Sequence, residues 1–345
     1  MSYEFLGIPA GYDINQYLIP YNNRDTHLRA AIVGLLNTGL VAICGIIAAT
    51  IFGLFLGVLR LSKNWLASRI AYWYVEFTRN VPILLHILLW HGIIINTLPH
   101  PKKAIDIGEM AFLTNRGFYI PKPITENGIE LVYLFSVIAI IFSVLFYKYA
   151  KKKQEEAGIQ YPKFLISLGI FIIVPALTFI FGGVDLSWSF PELKQLAKTS
   201  YTYDGGVGIP PELIALTLAL TLYTATFIAE NVRAGIQGIG KGQKEAAASI
   251  GLTPGQVLKL VIMPQALRII IPPTTNQYLN LTKNSSLAAA IAYPDLVLVF
   301  AGTAMMQTGR AIEIVAITMA TYLTISLSIS LFMNWYNKSI AIKEK

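Results

Sequence analysis

The run Lys244-Glu245-Ala246-Ala247-Ala248-Ser249-Ile250-Gly251-Leu252-Thr253-Pro254-Gly255-Gln256 is polar, and it lies between apolar stretches long enough to cross a bilayer. Its local chemistry spells a helix–turn–helix. Gly251 follows one short helix as its C′ residue, where a left-handed backbone meets no side-chain clash. Thr253 suits an N-cap, Pro254 the first helical position and Gln256 the third, which makes a capping box. Leu252 and Val257 are spaced for a hydrophobic staple across that start. So well specified a bend, unable to enter lipid, predicts a bundle of membrane helices with a docking element at one end rather than a tether.

The bulk composition agrees. Of 345 residues, 54% are apolar and 13% charged, against roughly 25% charged in soluble domains. Such a chain has room for several spans of about 20 residues. A net charge of +8 would suggest nucleic acid for a soluble protein, but the membrane explains it here, and no nucleic-acid partner is expected. The lone Cys44 lies in an apolar run and offers neither a disulfide framework nor a cysteine metal site. The first residues show no cationic segment followed by a short apolar core, so a cleavable signal peptide is not expected.

Seven spans are predicted, near 30–59, 70–98, 129–147, 164–183, 211–233, 266–291 and 311–336. The runs are far longer than the ~10 residues of a barrel strand, and helices satisfy their own backbone groups in lipid. The expected fold class is therefore an all-α, polytopic membrane bundle. The connections on one side (60–69, 148–163, 233–268 and the tail) carry 16 Lys and Arg; those on the other carry 9. The positive-inside rule makes the first set cytoplasmic, with the N-terminus outside, the C-terminus inside, and the Glu245 loop inside. The organisation expected is an external segment 1–28, a core of 29–99 and 207–337, an insertion of 100–206, a cytoplasmic loop 240–264 and a tail 338–345. The insertion carries Pro, Gly and aromatics (Trp188, Phe190, Tyr201, Tyr203) in segments that read as ordered external caps. Its two spans are almost purely apolar, joined by Lys151-Lys152-Lys153-Gln154-Glu155-Glu156, and read as a peripheral addition to a five-helix core.

No constellation for an enzyme emerges. His27, His86, His91 and His100 form no His-x-x-x-His or His-Glu pairing, and His86 and His91, five apart, fall on different helix faces. They read as packing residues, and no metal site is expected. Gly235-Ile236-Gln237-Gly238-Ile239-Gly240-Lys241-Gly242 matches a phosphate-binding loop up to its last position. That position needs Ser or Thr for magnesium and holds Gly242; a membrane helix, not a strand, precedes it. The chain is not expected to bind ATP there.

Polar residues inside spans are the better clue, because each is costly in lipid and must face protein or water. Asn276, Asn280 and Asn284 recur at i, i+4 and i+8, with Lys283, Ser285 and Ser286 beside them, as a slowly turning stripe. Thr217, Thr221, Thr224 and Asn231 share an arc of the fifth span. One reading is a translocation path for a polar solute; the other is interhelical hydrogen bonding at ~0.6 kcal/mol per contact. The threonines favour packing, Lys283 among Asn and Ser the path. Glu76, Arg79 and Asn80 share a face just before a kink expected at Pro82. Glu76 with Arg79, and Glu230 with Arg233, are spaced either to neutralise one another or to act as a gate.

These residues resemble a known family. Glu245-Ala246-Ala247, Gly251 and Val261-Ile262-Met263-Pro264 are similar to the EAA signature of bacterial ABC-importer permeases, with Val261 and Met263 departing from its usual Ile-x-Leu-Pro ending. Gly34-Leu35-Leu36-Asn37-Thr38, Tyr74-Val75-Glu76-Phe77-Thr78-Arg79-Asn80-Val81-Pro82, Pro264-Gln265-Ala266-Leu267-Arg268 with Pro272-Pro273, and Asn280-Leu281-Thr282-Lys283-Asn284-Ser285-Ser286-Leu287 resemble the polar-amino-acid branch. The likeness covers about 28–99 and 207–337. The inserted spans and Asn115-Arg116-Gly117 resemble the larger permeases of general L-amino-acid importers, which often begin with a further membrane helix that is missing here. The resemblance implies a type I ABC-importer transmembrane domain in the bacterial inner membrane. Glu245, Ala246, Ala247, Gly251, Pro254 and Pro264 would form a coupling helix in a groove of a separate dimeric ATPase, which holds the ATP and magnesium. Ala246, Ala247 and Ala248 would keep its surface small. A second permease subunit, as a heterodimer, and an external amino-acid-binding protein would complete the assembly. No cofactor is expected on this chain.

Two rivals remain. An ion-gradient-driven secondary transporter would show broken helices in inverted repeats, and no such symmetry is visible. A membrane enzyme would need convergent acid, base or metal groups.

Overall fold

The computed structural model describes residues 3–125, 127–159, 161–195 and 201–340. Two helices come first: α1, His27–Arg60, started by Thr26, whose hydroxyl accepts from the Arg29 N–H, and α2, Trp65–Asn80, started by Asn64, whose side chain accepts from the Ala67 N–H. Next come α3 (Ile83–Thr97) and four strands, β1 (Ile105–Ile107), β2 (Ala111–Thr114), β3 (Gly117–Ile120) and β4 (Lys122–Thr125). A helical hairpin of α4 (Ile129–Ala157) and α5 (Lys163–Phe181) leads to β5 (Leu186–Ser189), β6 (Glu192–Gln195), β7 (Tyr201–Asp204) and β8 (Val207–Ile209). The chain closes with α6 (Pro211–Gln237), α7 (Lys241–Ser249), α8 (Pro254–Gln256), α9 (Met263–Asn284), α10 (Met305–Thr308) and α11 (Ala311–Ile340). Among the described residues, six helical segments are long and apolar enough to cross a membrane, seven if α2 and α3 count as one span.

The chain forms two compact units. One holds Pro99–Thr114 and Phe118–Gly208. Here the expected caps form short antiparallel ribbons. Strand order is β1-β2-β3-β8 in one sheet, with β4 paired to β5 and β6 to β7. Phe112 stacks on Tyr203 at 4.5 Å between ring centroids, and Tyr119 lies 5.0 Å from the same ring. In the hairpin, the Ser143 hydroxyl donates to the Ser167 carbonyl at 2.8 Å and the Ser167 hydroxyl to the Ser143 carbonyl at 3.2 Å. That reciprocal pair joins two helices whose other surfaces are almost wholly uncovered.

The other unit holds Met1–Leu98, Asn115–Gly117 and Ile209–Lys345. Its centre is the contact of α1 with α6, and small residues set how close they come. A Cβ on Gly53 would lie 2.7 Å from Cβ of Ile228, and one on Gly57 2.6 Å from Cβ of Val232. Without a hydrophobic drive between helices in lipid, such backbone approach is how helices gain contact. Both residue numbers rise together, so α1 and α6 run parallel. Helix α9 runs opposite to them: Gly45 meets Leu281, and the Thr50 and Tyr278 hydroxyls lie 2.8 Å apart. Helix α3 is also antiparallel to α6, with His86 beside Tyr223 and His91 near Glu212.

Two predicted spans take a different form. The second is not a kinked helix, because α2 and α3 meet at 106° across Val81 and Pro82. Pro82 has no N–H to continue α2 and pushes Val81 into extended backbone, φ −98° and ψ 131°. The sixth lies inside a helical segment, Pro254–Ile291, long and apolar enough to cross a membrane; it is α-helical to Asn284, and a 3₁₀ helix, Ser285–Ile291, then ends on Ala292 at φ +59°. A π-helical stretch, Val297–Ala304, then runs into α10. The ordered segment before α1 folds over this region, with Phe5 stacked on Phe300 and the Tyr12 hydroxyl donating to the Val299 carbonyl.

Candidate functional site

The polar bend forms as its residues dictate. Gly251 adopts φ +84° after α7. Its N–H donates to Ala248 O at 2.9 Å, and the Leu252 N–H donates to Ala247 O at 3.3 Å, which is a Schellman closure. Leu252 is half-buried and packs against the core cluster that includes Ala247 and Val257. The Gln256 side chain accepts from the Thr253 N–H at 2.9 Å, and Pro254 opens α8. Further on, the Met263 N–H reaches back to Leu258 O in a π turn, and α9 begins at Met263 with Pro264, which has no N–H for Leu260 O, at its second position. Glu245, Ala246, Gly251, Pro254 and Pro264 are exposed. Ala247 is not. It faces the bundle at 5% exposure, so the small outer surface consists of Ala246 and Ala248 without it. Ile250, not singled out in the sequence, stands beside them at 77% exposure.

Next to this bend, at the same ends of α1 and α6, lies an ion cluster. Glu230 accepts from Arg233, as its spacing allows, and also from Arg60 on α1. The Arg60 side chain is only 8% exposed and its guanidinium lies over the Tyr72 ring at 5.4 Å. Arg233 also donates to Gln237. Glu76 and Arg79 are 3.9 Å apart, and Arg79 lies 5.9 Å from the Phe227 centroid. Spacing alone gave the local pairs; Arg60, the buried cation that needs Glu230 most, comes from the far end of another helix.

The candidate path residues separate. Asn276, Asn280 and Lys283 are exposed along one stripe of α9, with Asn284 and Ser286 half-buried. An open, mostly apolar groove of about 420 Å³ runs past Lys283 and Ser286 to Thr318, Met319, Tyr322 and Leu323. Ser285 and Thr224 are buried; the Ser285 hydroxyl donates to Thr282 O at 2.7 Å. Asn231 donates to Thr274 at 3.4 Å, an interhelical bond, whereas the Thr217 and Thr221 hydroxyl oxygens are buried and unpartnered among the described residues. The histidines split likewise. His86 is buried against Thr78 O, but His91 comes within 3.9 Å of Glu212, a His-Glu approach that no sequence spacing shows.

The Gly34–Thr38 motif acts as a clamp. Asn37 donates to Gln16 O at 2.7 Å and Pro294 O at 2.8 Å, and Thr38 accepts from the Leu296 N–H at 3.0 Å. Gly34 admits the Leu296 backbone, since a Cβ there would lie 2.9 Å from its Cα. Asp295, fully buried, accepts from the Leu298 N–H at 2.8 Å and the Tyr322 hydroxyl at 3.4 Å. Asp295 was not singled out in the sequence, where an aspartate inside an apolar run is the visible sign of it.

A parallel pair of close-packed helices, a broken span and a hydrogen-bonded polar bend outside the bundle make up a helical membrane bundle. Residues 49–342 match the family model described as the inner membrane component of binding-protein-dependent transport systems. The chain belongs to that family. It is a permease subunit of ABC-importer type, not itself an ATPase, and the ion-gradient alternative is disfavoured. It is 45% identical over 344 residues to the general L-amino acid transport system permease protein AapQ of Rhizobium johnstonii, covering 100% of this chain and 84% of that one. It is 44% identical over 379 residues to the glutamate/glutamine/aspartate/asparagine transport system permease protein BztB of Rhodobacter capsulatus, covering 100% and 86%. A crystal structure of an amino acid ABC transporter with histidines matches at TM-score 0.53 and 19% identity, covering 91% of this chain and 95% of that chain, a likeness of fold.

Proposed function

We propose that this chain moves polar L-amino acids inward across the inner membrane, as one half of a permease heterodimer driven by a separate dimeric ATPase and supplied by an external amino-acid-binding protein. The N-terminus is outside and α7 in the cytoplasm, in line with the 16 to 9 bias of Lys and Arg. The observation that carries the reading is the α7 bend, exposed on its outer face, closed after α7 by backbone hydrogen bonds and before α8 by the Gln256 side chain on the Thr253 N–H. A loop fixed in this way transmits force. Glu245, Ala246 and Ala248 form the contact with the ATPase groove, and Ile250 is its apolar anchor. The amino-acid cargo is supported by the names of the relatives, and Lys283, exposed on α9 beside a mostly apolar groove, offers an ammonium to a carboxylate.

The test is ATP hydrolysis by the assembled transporter in vesicles, with its binding protein and a panel of solutes. Acidic and amide amino acids are expected to stimulate it. Lys283→Met or Asn284→Ala should change uptake or solute preference with ATPase binding intact. Stimulation by sugars or ions alone would refute the cargo, and unchanged uptake kinetics would return Lys283 and Asn284 to packing roles.

A further inference from the structure

Helix α2 sorts its side chains three ways. Ala71, Val75 and Thr78 are buried against the bundle. Leu66, Ile70, Trp73 and Phe77, at i, i+4, i+7 and i+11, form one narrow stripe left open, with Trp73 63% and Phe77 71% exposed. The third face carries Arg69, Glu76, Arg79 and Asn80. Arg69 lies 6.0 Å from the Tyr72 centroid, and Lys63 and Trp65 stand exposed at the helix start. The axis is set by its neighbour. Helix α3 runs antiparallel to α6, and α2 meets α3 at 106°, so α2 lies across the bundle at the Arg60–Glu230 level, on the side of α7. Helix α3 alone, 15 residues or about 22 Å, falls short of a ~30 Å hydrocarbon core.

We propose that α2 lies in the plane of the membrane at its boundary on the α7 side, with the apolar stripe among acyl chains and Lys63 and Arg69 at anionic lipid headgroups. The stripe continues the lipid-facing surface of a membrane subunit, and aromatic and basic residues at its margin are what such a boundary selects. The inference rests on the family's membrane setting and not on the cargo.

The lone Cys44 makes the test clean. In a Cys44→Ser background, single cysteines at Leu66, Ile70, Trp73 and Phe77 carry a nitroxide in the assembled transporter in nanodiscs containing anionic lipid, with Arg69→Cys and Asn80→Cys as water-facing references. Relaxation by oxygen and by a water-soluble nickel complex reports depth. The four stripe positions are expected to be oxygen-accessible, nickel-protected and equal in depth, with both references open to nickel. A depth increasing from 66 to 77 by about 16 Å, as along a span, would overturn the proposal. Protection from both reagents would also overturn it, because protein would then cover the stripe.

Discussion

Helices α5 and α6 invert the rule of soluble proteins. Helix α5 is the more apolar, yet only 6% of its apolar window is buried in the protein; for α6, rich in Ala and Thr, the share is 56%. In lipid an apolar side chain is already satisfied, so burial follows smallness and hydrogen bonding rather than hydropathy. Glycine, alanine and threonine mark the helix that other helices grip, and a run of Ile, Leu and Phe marks the one that faces solvent hydrocarbon.

The largest test of this contrast is a matched pair of overpacking substitutions. Gly57→Leu drives side-chain atoms into Val232 and should cost about 3 kcal/mol, seen as lost thermal stability in detergent. Gly169→Leu in α5, where a Cβ meets only Ile173 of its own helix at 3.9 Å, should be nearly silent. Equal losses would break the comparison. Next, Glu230→Ala strands the buried Arg60 and should cost about 2 kcal/mol. Glu155→Ala, whose partner Lys151 is 60% exposed in the α4 surface pair, should cost roughly 0.3 kcal/mol. Between these two lies Ser143→Ala, at about 0.6 kcal/mol for one interhelical bond, read as a slight fall in the same melting temperature.

What could be read in the sequence was local. Gly251, Thr253, Pro254 and Gln256 act within a few residues of one another, so their turn was legible in full, and apolar runs located the long helices. The break at Pro82 was legible as a place but not as 106°, because the angle is set by what α2 and α3 pack against. The Arg60–Glu230 pair and the Asn37–Pro294 clamp join residues from distant parts of the chain. Ala247 shows the same gap: composition gave a small residue, and only the fold shows that it joins the core cluster.

The central proposal is that the α7 bend couples the ATP cycle of a separate ATPase to this chain. The direct measurement is amino-acid-stimulated ATP hydrolysis together with uptake in reconstituted vesicles, comparing the unaltered chain, Gly251→Val and Glu245→Ala. Gly251→Val forces a β-branched residue to φ +84° and opens the turn, while Glu245→Ala alters only the outer surface. Both chains should insert and assemble, yet lose most stimulated hydrolysis and uptake, Gly251→Val the more severely. Full stimulation and full uptake with either variant would contradict the account.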